Sequence, residues 1–242
     1  ELGYDHFINS PFVGCGFPTS IFDQLNVSSL YPVIGLPSES LYLEGRTGEN
    51  AELPYFLTHN VTDSGVSVAG LNCMNCHASP LNNELVVGLG NTSLKTTNDV
   101  GVFARGMSRF FSDPAELEAL NYWAERMSAV GPQVVLDTTG VVAADNMAVP
   151  LFGRRDPVTF EWQPDYQVTL PEGGLPIVPL AVPPLWRMGK KAAMFYAGGF
   201  RGDHTRFMFS ASSLCVNSVD ELLEIDSYFH HVRTWIAQLT PP

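Results

Sequence analysis

Two cysteines two residues apart, followed at once by a histidine, constrain this chain more than any other feature: Cys73-Met74-Asn75-Cys76-His77. Both thiols fall on one turn of backbone, so they meet the same partner, and the imidazole lies beside it. Three partners suit that arrangement. A disulfide-exchanging dithiol sits at a helix start after a strand and has no fixed need for the histidine. A structural zinc ion wants a second ligand pair, and the sequence holds no other Cys-x-x-Cys and no His-x-x-x-His. A porphyrin with two vinyl groups takes one thiol on each, with the adjacent imidazole directed at its iron; this is the attachment pattern of haem c. The last reading uses the whole pattern. It makes Cys73 and Cys76 the thioether positions of one covalent haem c and His77 its axial ligand.

Covalent haem attachment implies an exported protein, periplasmic or extracellular. The same oxidising setting lets the two remaining cysteines, Cys15 and Cys215, pair across about 200 residues, where the chain-entropy model gives its larger stabilisations. Two buried free thiols are the alternative.

Composition narrows the partners. The chain has 242 residues and a formal net charge of −12, with 16% charged and 45% hydrophobic residues. That apolar share supports a packed core rather than disorder. An acidic chain lacks the basic footprint of a nucleic-acid binder, and it favours a redox partner protein with a basic docking face. No apolar run approaches the roughly 20 residues of a membrane span. The start at Glu1 and the Pro241-Pro242 end suggest a trimmed form whose natural polypeptide continues.

With 21 glycines and 18 prolines, the pattern predicts a single loop-rich domain over 1–242. Residues 1–70 read as a mostly irregular wrap with one short helix near Ser20–Leu25. Residues 71–80 read as a haem-attachment helix (Leu71–Ser79) stopped by Pro80, and Glu84–Leu89 as a brief strand. Residues 98–131 are helical, with Asp113-Pro114 opening the second helix as N-cap and first position, and Gly131-Pro132 ending it. Residues 134–184 read as Pro-rich loop, 185–217 as a segment on the far side of the haem, and 218–240 as a terminal helix. That helix opens on the capping box Ser218-Val219-Asp220-Glu221 and carries the stripe Leu222, Ile225, Phe229, Val232, Ile236 and Leu239. Asn26-Val27-Ser28, Asn60-Val61-Thr62 and Asn91-Thr92-Ser93 match glycosylation triplets, which arise often by chance.

Motifs along most of the length resemble the bacterial di-haem c-type superfamily, which includes di-haem cytochrome c peroxidases and rubber oxygenases. Asp5-His6-Phe7 through Gly16-Phe17-Pro18, and Glu52-Leu53-Pro54-Tyr55-Phe56 before Leu71-Asn72-Cys73, are similar to the segment leading to the first haem of the rubber-oxygenase branch. Val182-Pro183-Pro184-Leu185-Trp186-Arg187 and Phe195-Tyr196-Ala197-Gly198-Gly199 are similar to a stretch of the peroxidases. The resemblance implies a mainly α, cytochrome-c-like haem domain with long Pro/Gly-rich loops and little sheet. Two departures matter. This chain has one Cys-x-x-Cys-His where the relatives carry two haems, and Ala197-Gly198 stands where peroxidases have His-Asp.

An electron-transfer haem has His or Met on its far side, whereas an oxygen- or peroxide-activating one leaves that position open. His204 is the first candidate for that position, since a His in a polar Gly-Asp-His turn lacks a core role; Met208 is second and Met194 third. Asp203 would cap a helix holding His204 and Met208. Arg105, Arg187 and Arg201 suit haem propionates, and Phe195, Tyr196 and Phe200 would line the ring. His6 and His59 fall in loops without spacing logic, and His230 and His231 lie beside the apolar stripe. These features predict an exported mono-haem electron carrier. Two other readings stay open: a haem oxygenase or peroxidase with an open distal site, and a relay haem domain within a larger multi-haem assembly.

Overall fold

The computed structural model describes residues 1–25, 42–166, 176–194, 200–201 and 205–241. Of these, 46% are helical and 14% lie in strands. One three-stranded and three two-stranded antiparallel ladders are spread between the helices. The expected mainly α, cytochrome-c-like fold with little sheet is therefore wrong; the architecture is mixed α/β.

Residues 1–25 and 42–70 are more regular than the expected irregular wrap. Helix α1 (Leu2–Asn9) lies along the terminal helix α8 (Val219–Gln238). The helices meet closely because Gly3 has no side chain; a Cβ there would stand 2.2 Å from the His231 carbonyl oxygen. Aromatic rings fill the seam, with Phe7 on Trp235 and Phe12 edge-on to Phe229. His6, expected in a loop, sits on α1 and stacks on His231. The α8 stripe works as its periodicity predicts where it faces the core: Phe229, Val232 and Ile236 are wholly buried, each contributing about 1.5–3 kcal/mol. Its predicted cap forms at Ser218, with the returning Glu221 bond shifted one residue to Asn217. Ser218 Oγ accepts from the Glu221 N–H at 3.1 Å, and the Glu221 carboxylate accepts from the Asn217 N–H at 3.0 Å.

Strand β1 (Phe17–Pro18) is followed by the short helix α2 (Ile21–Gln24), where Ser20 makes no capping bond. Strands β2 (Leu57–Val61) and β3 (Ser67–Leu71) complete a sheet of order β1-β3-β2. The contact is backbone on backbone: a Cβ on Gly16 would lie 1.9 Å from the Ala69 carbonyl oxygen, and one on Gly70 would lie 2.5 Å from that of Cys15. His59 pairs with Ala69 in this sheet. Before β2, the buried Arg46 guanidinium donates to the carbonyls of Ile8, Leu53, Pro54 and Leu57. It ties the 53–58 turn to the end of α1.

Strand β3 delivers the chain to the five-residue motif. Helix α3 is only one turn (Met74–His77), not the predicted Leu71–Ser79. Strands β4 (Ala78–Leu81) and β5 (Glu84–Val87) then form a hairpin. Its turn is Asn82-Asn83, both at positive φ (52° and 68°), a conformation that asparagine tolerates and hairpin turns favour. Pro80 lies in β4 rather than ending a helix.

Helix α5 (Pro114–Val130) starts as predicted on the Asp113 side-chain cap, and α4 (Val100–Gly106) starts on a cap from Asp99 that the sequence reading did not name. The predicted 134–184 loop instead holds helix α6 (Ala144–Gly153) and the ladder of β6 (Val141–Val142) with β7 (Leu180–Ala181). Val130, Val134, Ala143 and Leu151 make a small second core there. Strands β8 (Ala193–Met194) and β9 (Phe200–Arg201) pair, and helix α7 (Thr205–Phe209) leads towards α8. Cys15 and Cys215 form a disulfide that joins the first sheet to the segment before α8. No helix among the described residues is long and apolar enough to cross a membrane.

Candidate cofactor-attachment site

Two buried asparagines fix the Cys73–His77 turn. Asn72 Oδ1 accepts from the Met74 N–H at 2.9 Å, while its Nδ2 donates to the Tyr55 carbonyl and Thr58 Oγ1, both at 2.8 Å. From beyond the hairpin, Asn91 Nδ2 donates to the Asn75 carbonyl and its backbone N–H to the Cys76 carbonyl, both at 2.8 Å. Asn91 is 1% exposed, so this glycosylation triplet has its amide committed inside the fold. The Gly88 N–H donates to the His77 carbonyl at 2.7 Å, which starts the exit from the hairpin.

The 182–187 segment lies across this exit. The Leu185 N–H donates to the Gly88 carbonyl at 2.7 Å, and a Cβ on Gly90 would stand 2.0 Å from the Val182 carbonyl oxygen. Gly88 is at φ +94°, with the Trp186 ring 3.1 Å from where a Cβ would be. Two stretches more than ninety residues apart in sequence thus share one site.

Cys73 and Cys76 are free thiols. Burial raises Cys73 to about 12 and Cys76 to about 11, with Cys76 adding to the rise at Cys73. Neither is a ready thiolate, which speaks against a disulfide-exchanging pair, since such pairs depend on a lowered pKa. No group of three His, Cys, Asp or Glu side chains among the described residues converges on one point as a metal site. The two thiols and His77 are therefore not arranged as a zinc chelate.

His77 is lowered to about 4, chiefly by burial, with the Lys191 charge lowering it further and a hydrogen bond with the Pro183 backbone opposing both. The imidazole is thus neutral at pH 7. Its Nδ1 is enclosed and has no hydrogen-bond partner, and the Pro183 backbone lies close enough to the ring to oppose the lowering. A neutral imidazole with an enclosed, unpartnered ring nitrogen is a donor suited to a metal. Two more buried polar atoms nearby lack partners: the Tyr55 hydroxyl and Asn75 Oδ1.

Most of the remaining predicted residues are elsewhere or beyond description. His204, Phe195 and Tyr196 lie outside the described residues, as does Asp203, and of Met194 and Phe200 only the backbone is described, in β8 and β9. Met208 is buried in the main core, which also takes in Met74 of the motif. Arg105 is exposed and bonds Ser128 on α5. Arg187 and Arg201 are exposed, and Arg187 is at φ 61°. The cation whose field reaches His77 is Lys191.

Sequence reasoning gave no site role to Tyr55, Asn72, Asn91 or Lys191, although Tyr55 and Asn72 stand in the motifs quoted for the family resemblance. No family model matches the chain, and neither a curated protein nor a solved structure does.

Proposed function

We propose that the chain is a mono-haem c-type electron-transfer protein, with Cys73 and Cys76 as the thioether positions and His77 as an axial ligand. The observation that carries this reading is the His77 ring: neutral at pH 7, with an enclosed Nδ1 that has no hydrogen-bond partner. Two free, protonated thiols on the same turn complete the donor set. A bound haem would supply a one-electron couple. The chain's part is to enclose the haem, hold the imidazole on its one-turn helix and set the charge around it.

The sixth position is assigned to His204, with Met208 and then Met194 as alternatives. The Cys15–Cys215 disulfide supports an oxidising, extracytoplasmic location. The net charge of −12 supports a redox partner with a basic docking face. The likeness of the flanking motifs to di-haem c-type proteins supports the class and leaves room for a role as one module of a larger cytochrome.

Haem staining of a denaturing gel tests attachment: colour should stay with the chain, and extraction by acidified organic solvent overturns the proposal. Optical spectra then separate carrier from enzyme. A low-spin spectrum insensitive to carbon monoxide is expected, and His204→Ala should make it high-spin and carbon-monoxide-binding. High-spin, carbon-monoxide-binding protein before any substitution favours the open-site oxygenase or peroxidase.

A further inference from the structure

Tyr55 is among the largest fully buried side chains, with no exposed surface, and its hydroxyl has no hydrogen-bond partner. A buried hydroxyl without a partner is costly, and natural folds rarely keep one without a use. Its place is fixed on both sides. The Tyr55 carbonyl accepts from Asn72, the residue before Cys73, and Arg46 holds the carbonyls of Leu53, Pro54 and Leu57 around it. Its ring is edge-on to Phe56 at 5.1 Å. Its ring shares one buried core with Met74 and Ala78, which flank the Cys76-His77 pair.

We infer that Tyr55 is a contact residue for the group carried on Cys73 and Cys76, its hydroxyl donating a hydrogen bond to a haem propionate carboxylate. This rests on the proposed haem attachment. A phenol at neutral pH is a donor as well as an acceptor, and the strong acceptors on the rim of a haem are its two propionates. A carboxylate brought into an apolar interior needs such donors, and Lys191 supplies a cation whose field reaches His77. The hydroxyl is then a burden to the haem-free chain and an asset to the loaded one.

Tyr55→Phe in the full chain separates the two states. It keeps the ring and removes only the hydroxyl. Haem-free protein should unfold at the same temperature as the parent or higher, while haem-loaded protein should lose about 2–4 °C. The midpoint potential of the loaded protein should fall, because a carboxylate without its donor favours ferric iron. Equal shifts in both states with an unchanged potential overturn the inference and leave haem attachment standing. A chain that retains no covalent haem overturns attachment and inference together.

Discussion

Asn72 bridges Tyr55 and Met74: its Nδ2 donates to the Tyr55 carbonyl at 2.8 Å and its Oδ1 accepts from the Met74 N–H at 2.9 Å. One amide thus joins the 53–58 turn to the start of the motif helix. Asn72→Ala leaves a buried carbonyl and a buried N–H unpaired, and should cost roughly 2–4 kcal/mol by urea unfolding. Asn72→Asp should cost as much or more, because a carboxylate cannot donate to the Tyr55 carbonyl. An Asn72→Ala variant as stable as the parent removes the bridge from this account.

Gly90 is where the 182–187 segment reaches the motif. A Cβ there would stand 2.0 Å from the Val182 carbonyl oxygen, a backbone atom that yields only if its segment moves. Gly90→Ala should destabilise by about 1–3 kcal/mol. Gly106, at the end of α4 with nothing within 4 Å of its would-be Cβ, is the control: Ala there should stabilise by about 0.5–1 kcal/mol. Denaturation midpoints moving in opposite directions are expected, and a shared direction refutes the close approach at Gly90.

What the sequence made legible was local. Asp113-Pro114 and Ser218–Glu221 announce helix starts within four residues, and the five-residue motif is recognised without knowing where it lies. What stayed hidden depends on distant segments meeting. The β1-β3-β2 sheet forms because Gly16 and Gly70 let two backbones touch across more than fifty residues, and glycines alone do not say which other segment they meet. The β4–β5 hairpin turns on Asn82-Asn83, whose positive φ values leave a weaker mark than Asn-Gly. Pro150 inside α6 disguised that helix as loop. At the site, His77 was visible, but the 182–187 segment laid across it and the Asn91 clamp come from residues further along the chain.

Arg46 holds the turn that carries Tyr55, and the acceptors named around it are neutral carbonyls. Its planar fork reaches several of them at once, which a lysine ammonium cannot. Arg46→Lys keeps the charge and should still cost about 3 kcal/mol or more, since buried carbonyls lose their donors. Equal stability of the two proteins by calorimetry shows that charge alone, not the fork, matters there.

The Cys15–Cys215 bridge closes a separation of 200 residues. Reduction should lower stability by about 2–5 kcal/mol. The segment after the bridge is held by other bonds: Tyr122 donates to the Cys215 carbonyl, and Arg126 to Asn217 Oδ1 at 2.6 Å. Loss of the bridge should therefore weaken the fold without abolishing it. Urea midpoints with and without dithiothreitol measure this, and a double Cys15→Ser, Cys215→Ser variant should be insensitive to the reductant. A parent whose midpoint ignores reductant has no such bridge in solution.

Buried phenols give the alkaline limit of stability. Burial, with Glu224 adding to it, pushes Tyr228 up to about 12, and burial also raises Tyr122 despite the opposing charge of Arg126. In the unfolded chain both titrate near 10. Above that pH the folded state keeps protons that the unfolded state has lost, so stability falls as pH rises. Each such tyrosine contributes a slope of about 1.4 kcal/mol per pH unit between 10 and its folded value, and nothing below 10. Ultraviolet tyrosinate absorbance from these two should therefore appear together with the loss of near-ultraviolet circular dichroism, as one cooperative step. Tyr228→Phe should flatten the fall in stability between pH 10 and 12. Tyr122→Phe should flatten it too, from a lower starting stability, because that hydroxyl also bonds Cys215 and Asn217. Gradual ionisation of all tyrosines near pH 10 in a chain that is still folded contradicts the burial of both rings.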